Sequence, residues 1–503
     1  MTSQAGDRSD AKAIVILGGG TAGWIAACLI AHRWPDARVT LVESPDIGIV
    51  GVGEGSTPQL RALFAQLGIA ESAWMPAADA SYKTGIRFDG WSRRGGHSSY
   101  FHPFASAIDL HTAGAFHASA LARRTGRAVD AHPDRFFLNT RLAQAHRAPL
   151  APENFPFEVG YGYHFDAHKV GAVLRRHALA QGVVHVAARV DTVELSDGGE
   201  VAALVLAGGE RLTGGIFVDA SGFRSVIAQG ALGVRFVPFA SNLFCDRAVT
   251  LPTPRAADAP LDARTTATAL SNGWAWAIPL TTRTGNGYVY ASDYLSADAA
   301  ETELRRHLGL LDADVAARHL TMKVGRVEHA WHANCLAIGL AQGFIEPLEA
   351  TALHLTQTTV ERFIQAYADG DSAPTHRGAF NAEIARRFEG VRDYIVAHYR
   401  LNQRDDTDFW RANAANDHLS DDLKAIMTAW FTGRDVAAEV TRRGLADYYS
   451  PLSWEVLFAG YGTFPDDARL APAPSPVDVA GIDRLLDGCL LNFGDHAAAL
   501  ARA

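Results

Sequence analysis

The feature that most limits what this chain can fold into lies near its start. An apolar strand, Ala13–Leu17, runs into Gly18, Gly20 and Gly23; a helix follows over about residues 21–33; and a second strand over residues 38–42 delivers Glu43. Glycines at this spacing let the chain turn sharply out of a strand and bring a helix N-terminus close to a pyrophosphate. An acid about 20 residues further on, at the end of the next strand, can accept hydrogen bonds from a ribose. The unit predicts a doubly wound, Rossmann-like α/β core with a dinucleotide site built from Gly18, Gly20, Thr21, Ala22, Gly23 and Glu43. The acid favours an unphosphorylated ribose, as in FAD or NAD, over NADP. The plainer alternative is a glycine-rich turn with no ligand.

The next stretch, GIVGVGEGSTP over residues 48–58, carries four glycines and a proline. It suits neither a helix nor a central strand. A backbone this bare can lie against a flat ligand, which makes Gly51 and Gly53 further cofactor candidates; the alternative is a surface loop. The net charge of −9 and the lack of Lys/Arg runs exclude a nucleic-acid-binding protein. The four cysteines, Cys28, Cys245, Cys335 and Cys489, are far apart and read as small core residues, with no metal site among them. The first residues lack a signal-peptide pattern and no apolar run reaches membrane-spanning length, so a soluble cytoplasmic protein is expected.

Several residues stand out as candidates for chemistry. Lys83 sits between Tyr82 and Thr84 in an aromatic, mostly uncharged stretch. It is either a solvated surface lysine or one facing an apolar cavity, where its pKa would fall. His102 and Phe104 flank a proline, as in a core turn or the wall of a pocket for a flat substrate. Trp274 and Trp276 alternate at strand period and place two indoles on one face, which serves a core equally well. A strand over 214–220 ends in Asp219-Ala220-Ser221-Gly222, an acid and a glycine turn of a kind that recurs near cofactors. The stretch from Cys335 to Gln357 reads as a buried strand, a small-residue turn, then a helix opening near Pro347 and running to about residue 368. Glu346 and Glu349 would share one face of that helix start. They are either acids complementing the helix dipole or functional carboxylates. Beyond residue 370 the chain reads as helical, with segments near 380–399, 423–430, 436–446 and 482–501. An aromatic connection containing Tyr448, Tyr449 and Glu455 lies among them. The expected organisation is a dinucleotide-binding core over residues 12–370 and a helical cap over 371–503 that closes a substrate pocket.

Taken together, these segments resemble the flavin-dependent halogenases of the tryptophan-halogenase family. GGGTAGW at Gly18–Trp24, GVGEGSTP, the Tyr82–Lys83 pair, WxWxIP at Trp274–Pro279 and GFIEPLEAT at Gly343–Thr351 occur in the family order. The resemblance implies a two-component enzyme that receives FADH2 from a separate flavin reductase and uses O2 to oxidise chloride or bromide to hypohalous acid. That oxidant would pass to Lys83, with Glu349 stabilising the cationic ring intermediate. Thr351 and Ala352 would offer backbone N–H groups to the halide. Trp274 and Trp276 would block the flavin face that monooxygenases open to substrate. Tyr448, Tyr449 and Glu455, with His102 and Phe104, would line the substrate site. Here Ala350 stands where the family usually has serine. The expected substrate is indole or another small electron-rich aromatic rather than free tryptophan. The alternatives are an FAD-dependent aromatic monooxygenase and an FAD-binding protein without chemistry.

Overall fold

The structure, a computed structural model, describes residues 13–48, 54–256 and 259–501. Gly51 and Gly53 lie outside the described residues. At the centre is a six-stranded sheet in the order Trp331–His332, Cys335–Ala337, Ile216–Asp219, Ala13–Leu17, Arg38–Glu43, Val184–Ala187. All its pairings are parallel except the one at the Trp331–His332 edge. Every residue of Ala13–Leu17 is buried, as expected for a parallel strand covered on both faces. This strand also neighbours its sheet on both sides, Ile14 opposite Ile216 and Val39, so its C-terminal end opens onto a crevice where ligands bind in such folds.

A second, largely antiparallel sheet of eight strands carries Gly273–Pro279 between Thr265–Leu270 and Arg283–Tyr290. Trp276 stands opposite Ala267 and Gly287, and Gly287 is required there: a Cβ would lie 2.1 Å from the Trp276 ring. A small third sheet places Ser81–Lys83 and Glu54–Gly55 on either side of Gly162–Phe165. The C-terminal region is helical, led by Arg377–Leu401 and including Pro451–Gly460. One continuous apolar cluster runs from Ile14 and Trp24 through Trp274 to Tyr394, Trp454 and Phe493. The helical region therefore packs on the same core as the sheets. All four cysteines are free. Burial holds their thiols protonated, pushing Cys28 up to about 12 and Cys245, Cys335 and Cys489 upward as well.

Two expected helices are broken. Helix does not run on from Pro347: a single 3-10 turn, Pro347–Glu349, ends at Ala350, and the long helix is Ala352–Asp369. Ala350 adopts φ 55°, a left-handed conformation that costs a non-glycine residue about 1 kcal/mol. Glu346 and Glu349 consequently do not share a helix face. The expected 482–501 helix is likewise two, Val479–Leu490 and His496–Leu500, the second capped by Asp495 accepting from the Ala498 N–H at 2.9 Å.

Candidate active site

At the glycine turn the backbone is packed too closely for side chains. A Cβ on Gly18, at φ 115°, would lie 2.3 Å from the Ala220 carbonyl oxygen, and one on Gly23 would lie 1.9 Å from that of Gly18. Glu43 arches over the turn, its Oε2 where a Gly19 Cβ would be, while Oε1 is 2.8 Å from His185 Nε2. The first bond inside the Thr21–Arg33 helix is from Trp24 N–H to the Gly20 carbonyl, so the N–H groups of Thr21, Ala22 and Gly23 come before it. No side chain caps this end and no acid lies in its first turn. An uncapped, positively polarised helix end beside a buried strand tip suits an anion such as a diphosphate. Asp219 has another use. Its carboxylate accepts from Ser221, Ile227 and Ala228 N–H groups and from the Ser221 hydroxyl, fixing the turn after its strand.

Lys83 is fully buried, and its Nζ has no hydrogen-bond partner among the described residues. It lies 5.4 Å from the Phe104 ring centroid and 3.1 Å from where a Cβ on Gly55 would be. Burial pushes its ammonium down to about 8, with the Glu349 charge opposing the shift. The strand that carries it is pinned from the far end of the chain. His496 accepts from the Tyr82 N–H through Nε2 (3.1 Å) and sits 3.0 Å from the Leu261 carbonyl through Nδ1. Burial lowers His496 to about 4, which keeps it neutral and leaves Nε2 free to accept.

Glu349 is 5% exposed and Glu346 1%. The two carboxyls face different neighbours. Glu349 Oε1 is 2.9 Å from Nε2 of the wholly buried His398, a close approach out of line with the ring N–H. Burial pushes Glu349 up, yet His398, His102 and Lys83 together hold it below its ordinary range. Glu346 Oε1 instead accepts from Trp274 Nε1 at 3.1 Å and from the Tyr399 hydroxyl at 2.7 Å. Its Oε2 is buried without a partner among the described residues, and burial pushes its carboxyl up to about 7.

Around Glu349 stands a wall of rings. His398 stacks on Phe88 at 4.7 Å, and its Nδ1 is 2.7 Å from the Tyr461 hydroxyl. The Tyr394 hydroxyl lies 2.9 Å from His102 Nε2 and donates to the Ser453 carbonyl at 3.0 Å. Tyr449 lies flat on Tyr394, centroids 3.5 Å apart and planes 3° from parallel.

Residues 13–474 match the family model described as tryptophan halogenase. The chain belongs to the tryptophan halogenase family. It is 36% identical to the 7-chloro-L-tryptophan 6-halogenase KtzR of Kutzneria sp. (strain 744), over 83% of this chain and 85% of that one. Among solved structures, the tryptophan 6-halogenase SttH from Streptomyces toxytricini superposes with a TM-score of 0.84 at 32% identity, covering 98% of this chain and 99% of its own. BrvH, a flavin-dependent halogenase from Brevundimonas sp. BAL3, gives 0.81 at 33% identity, covering 97% and 98%. The chain is thus a flavin-dependent halogenase, with the α/β core and helical C-terminal region of that fold.

Of the residues singled out in this halogenase, Lys83, Phe104, His102, Glu349 and Tyr449 are brought together. Phe104 neighbours the Lys83 amine, and the Glu349 charge acts on Lys83, His102 and Tyr449. Trp274 and Trp276 lie side by side, centroids 6.0 Å apart, with Glu346 fastening the first. Thr351 and Ala352 open the long helix behind Ala350, and its first internal bond is from Leu355 N–H to the Thr351 carbonyl. Two residues face elsewhere. Tyr448 packs under the Arg387 guanidinium at 4.9 Å, and Glu455 is turned onto His117, Oε1 to Nδ1 2.8 Å. Sequence reasoning missed His398, Tyr394 and His496. The first two are four apart on one helix and so on one face, a spacing visible in YIVAH had the direction of that face been known.

Proposed function

We propose that this halogenase transfers chloride or bromide to an electron-rich arene of the indole type, through hypohalous acid held at Lys83. Reduced FAD, handed over by a separate flavin reductase, supplies two of the electrons that O2 takes up as the halide is oxidised. The chain's own residues do the rest. The N–H groups of Thr21, Ala22 and Gly23 bind the diphosphate and Glu43 the ribose. Trp274 and Trp276 shield the cofactor from the arene. N–H groups at Thr351 and Ala352 receive the halide. Lys83, lowered to about 8, is divided between ammonium and amine near neutral pH. The ammonium donates a hydrogen bond to the oxidant; the amine takes its halogen and releases water. Glu349, held below its ordinary range by His398, His102 and Lys83, stabilises positive charge on the ring and accepts the proton the ring gives up. His102, Phe104, Tyr394 and Tyr449 flank a flat substrate.

The observation that carries this reading is Lys83: a fully buried amine without a partner among the described residues, beside an aromatic ring and under the influence of one carboxylate. The pairing of Glu455 with His117 favours an uncharged indole over an amino acid, because the acid that would bind an ammonium is already engaged. The test is mass spectrometry after incubation with FAD, a flavin reductase, NADH, each halide and a panel of arenes. Halogenated indoles are expected. Hydroxylated products, or NADH oxidation without the reductase, would show a monooxygenase instead.

A further inference from the structure

Oxidising a halide with O2 consumes acid. In balanced form, X⁻ + O2 + FADH2 + H⁺ gives HOX + FAD + H2O: the O–O bond breaks, the halide and the flavin each give two electrons, and one proton is taken up per halide. Glu349 is poorly suited to deliver that proton, since His398, His102 and Lys83 hold its carboxyl below the ordinary range.

Glu346 has the opposite surroundings. Its Oε1 is saturated by two donors, Trp274 N–H from the Gly273–Pro279 strand and Tyr399 O–H from the Arg377–Leu401 helix. Behind Tyr399 the Cys245 thiol lies 3.3 Å from the phenol oxygen; since that phenol donates to Glu346, the thiol donates to the phenol. Beyond it, Asp246 is spent on Arg247 and Ser292. Among the described residues no Lys, Arg or His comes within ion-pair distance of Glu346, and Glu349 on its own segment faces His398. What is left over is Oε2, buried and without a partner among the described residues, on the carboxyl that fastens Trp274; Trp276 Nε1 is buried and without a partner there too. The two donors by themselves favour the ionised form, but with no countercharge the cost of burying a charge outweighs them, and the proton is carried on the free oxygen.

We propose that Glu346 is the proton store of halide oxidation: a neutral acid that offers the O–H on Oε2 to a water-sized molecule beside the tryptophan pair and is reprotonated from solvent after each turnover. Burial agrees, since it raises this carboxyl to about 7. The inference rests on the halogenation reading above but can fail separately from it.

Two experiments test it. In the protein without FAD, infrared titration is expected to show protonated-carboxyl absorption that persists to near neutral pH and is diminished by one carboxyl in Glu346→Gln, the buried Glu54 keeping its own; an unchanged spectrum overturns the proposal. In the complete assay, a thioether trap reads hypohalous acid independently of arene halogenation. Glu346→Gln is expected to cut trapped oxidant by about a hundredfold, with FAD affinity unchanged by fluorescence. Glu349→Gln should leave trapping intact while losing aryl halide. Glu346→Asp separates proton supply from anchoring: Gln better preserves the contacts to Trp274 and Tyr399, whereas Asp preserves the proton. Recovery by Asp above Gln supports the proposal, and the reverse order overturns it. A wild-type protein that traps no hypohalous acid would defeat the halogenation reading itself.

Discussion

Glu346 and Glu349 are three residues apart, both buried, and chemically identical. Around Glu349 are His398, His102 and Lys83, and its charge survives burial. Around Glu346 are an indole, a phenol and a thiol, and burial raises its carboxyl to about 7, so that it keeps its proton well above the ordinary range. The difference shows that residue type leaves an acid's protonation undecided. A short turn ending in a left-handed Ala350 sends the two side chains in different directions, and the neighbours do the rest. Two acids with pKa values pushed apart give one fold both an acid and a base at one pH.

The contrast can be broken most severely from the cationic side. Lys83→Ala is expected to abolish arene halogenation while flavin oxidation and FAD binding continue; near-normal product by mass spectrometry would remove the lysine from the chemistry. Glu349→Gln keeps shape and removes charge, and should lower product formation by about two to three powers of ten. Glu346→Gln tests the other half through stability. The folded carboxyl binds its proton more tightly than the unfolded one, so from about pH 5 to 8 the unfolded state gives up its proton first. Wild-type stability should therefore fall with rising pH relative to Glu346→Gln, by on the order of 3 kcal/mol. Parallel denaturation curves across that range would mean the acid is ionised throughout. His398→Phe would make the surroundings of Glu349 resemble those of Glu346. Its carboxyl should rise, moving the acid limb of the activity profile to higher pH and lowering the rate at neutral pH about tenfold; an unmoved limb would mean His398 does not set that charge. The smallest effect is expected from Tyr399→Phe, which removes one donor from Glu346 and should cost about 1 kcal/mol in thermal or denaturant unfolding.

Local pattern carried the first part of this structure well. The Ala13–Leu17 strand, its glycine turn and the acid at Glu43 follow from short-range rules, because the conformations involved are fixed by neighbours in the chain. The alternation of Trp274 and Trp276 is legible for the same reason. The break at Ala350 was not, since alanine carries none of the signals of a left-handed residue and strongly favours helix. His398 and Tyr399 stand about fifty residues beyond the carboxyls they hold, and His496 more than four hundred beyond Tyr82. Such pairings are made by the folding of the Arg377–Leu401 helix and the C-terminal segment onto the sheets, and no local period encodes them. Glu455 shows the converse: a residue in a suggestive aromatic cluster whose partner, His117, lies on another helix.

The buried thiols take on a further meaning in a protein that generates an electrophilic halogen. Thiolates and thioethers are among the side chains most readily attacked by such a species. Here Cys28, Cys245 and Cys335 are shut in the core as protonated thiols, and Met75 and Met322 are also buried. The packing that assembles the core thus also keeps these sulfur atoms away from solvent, where an electrophilic halogen would reach them first.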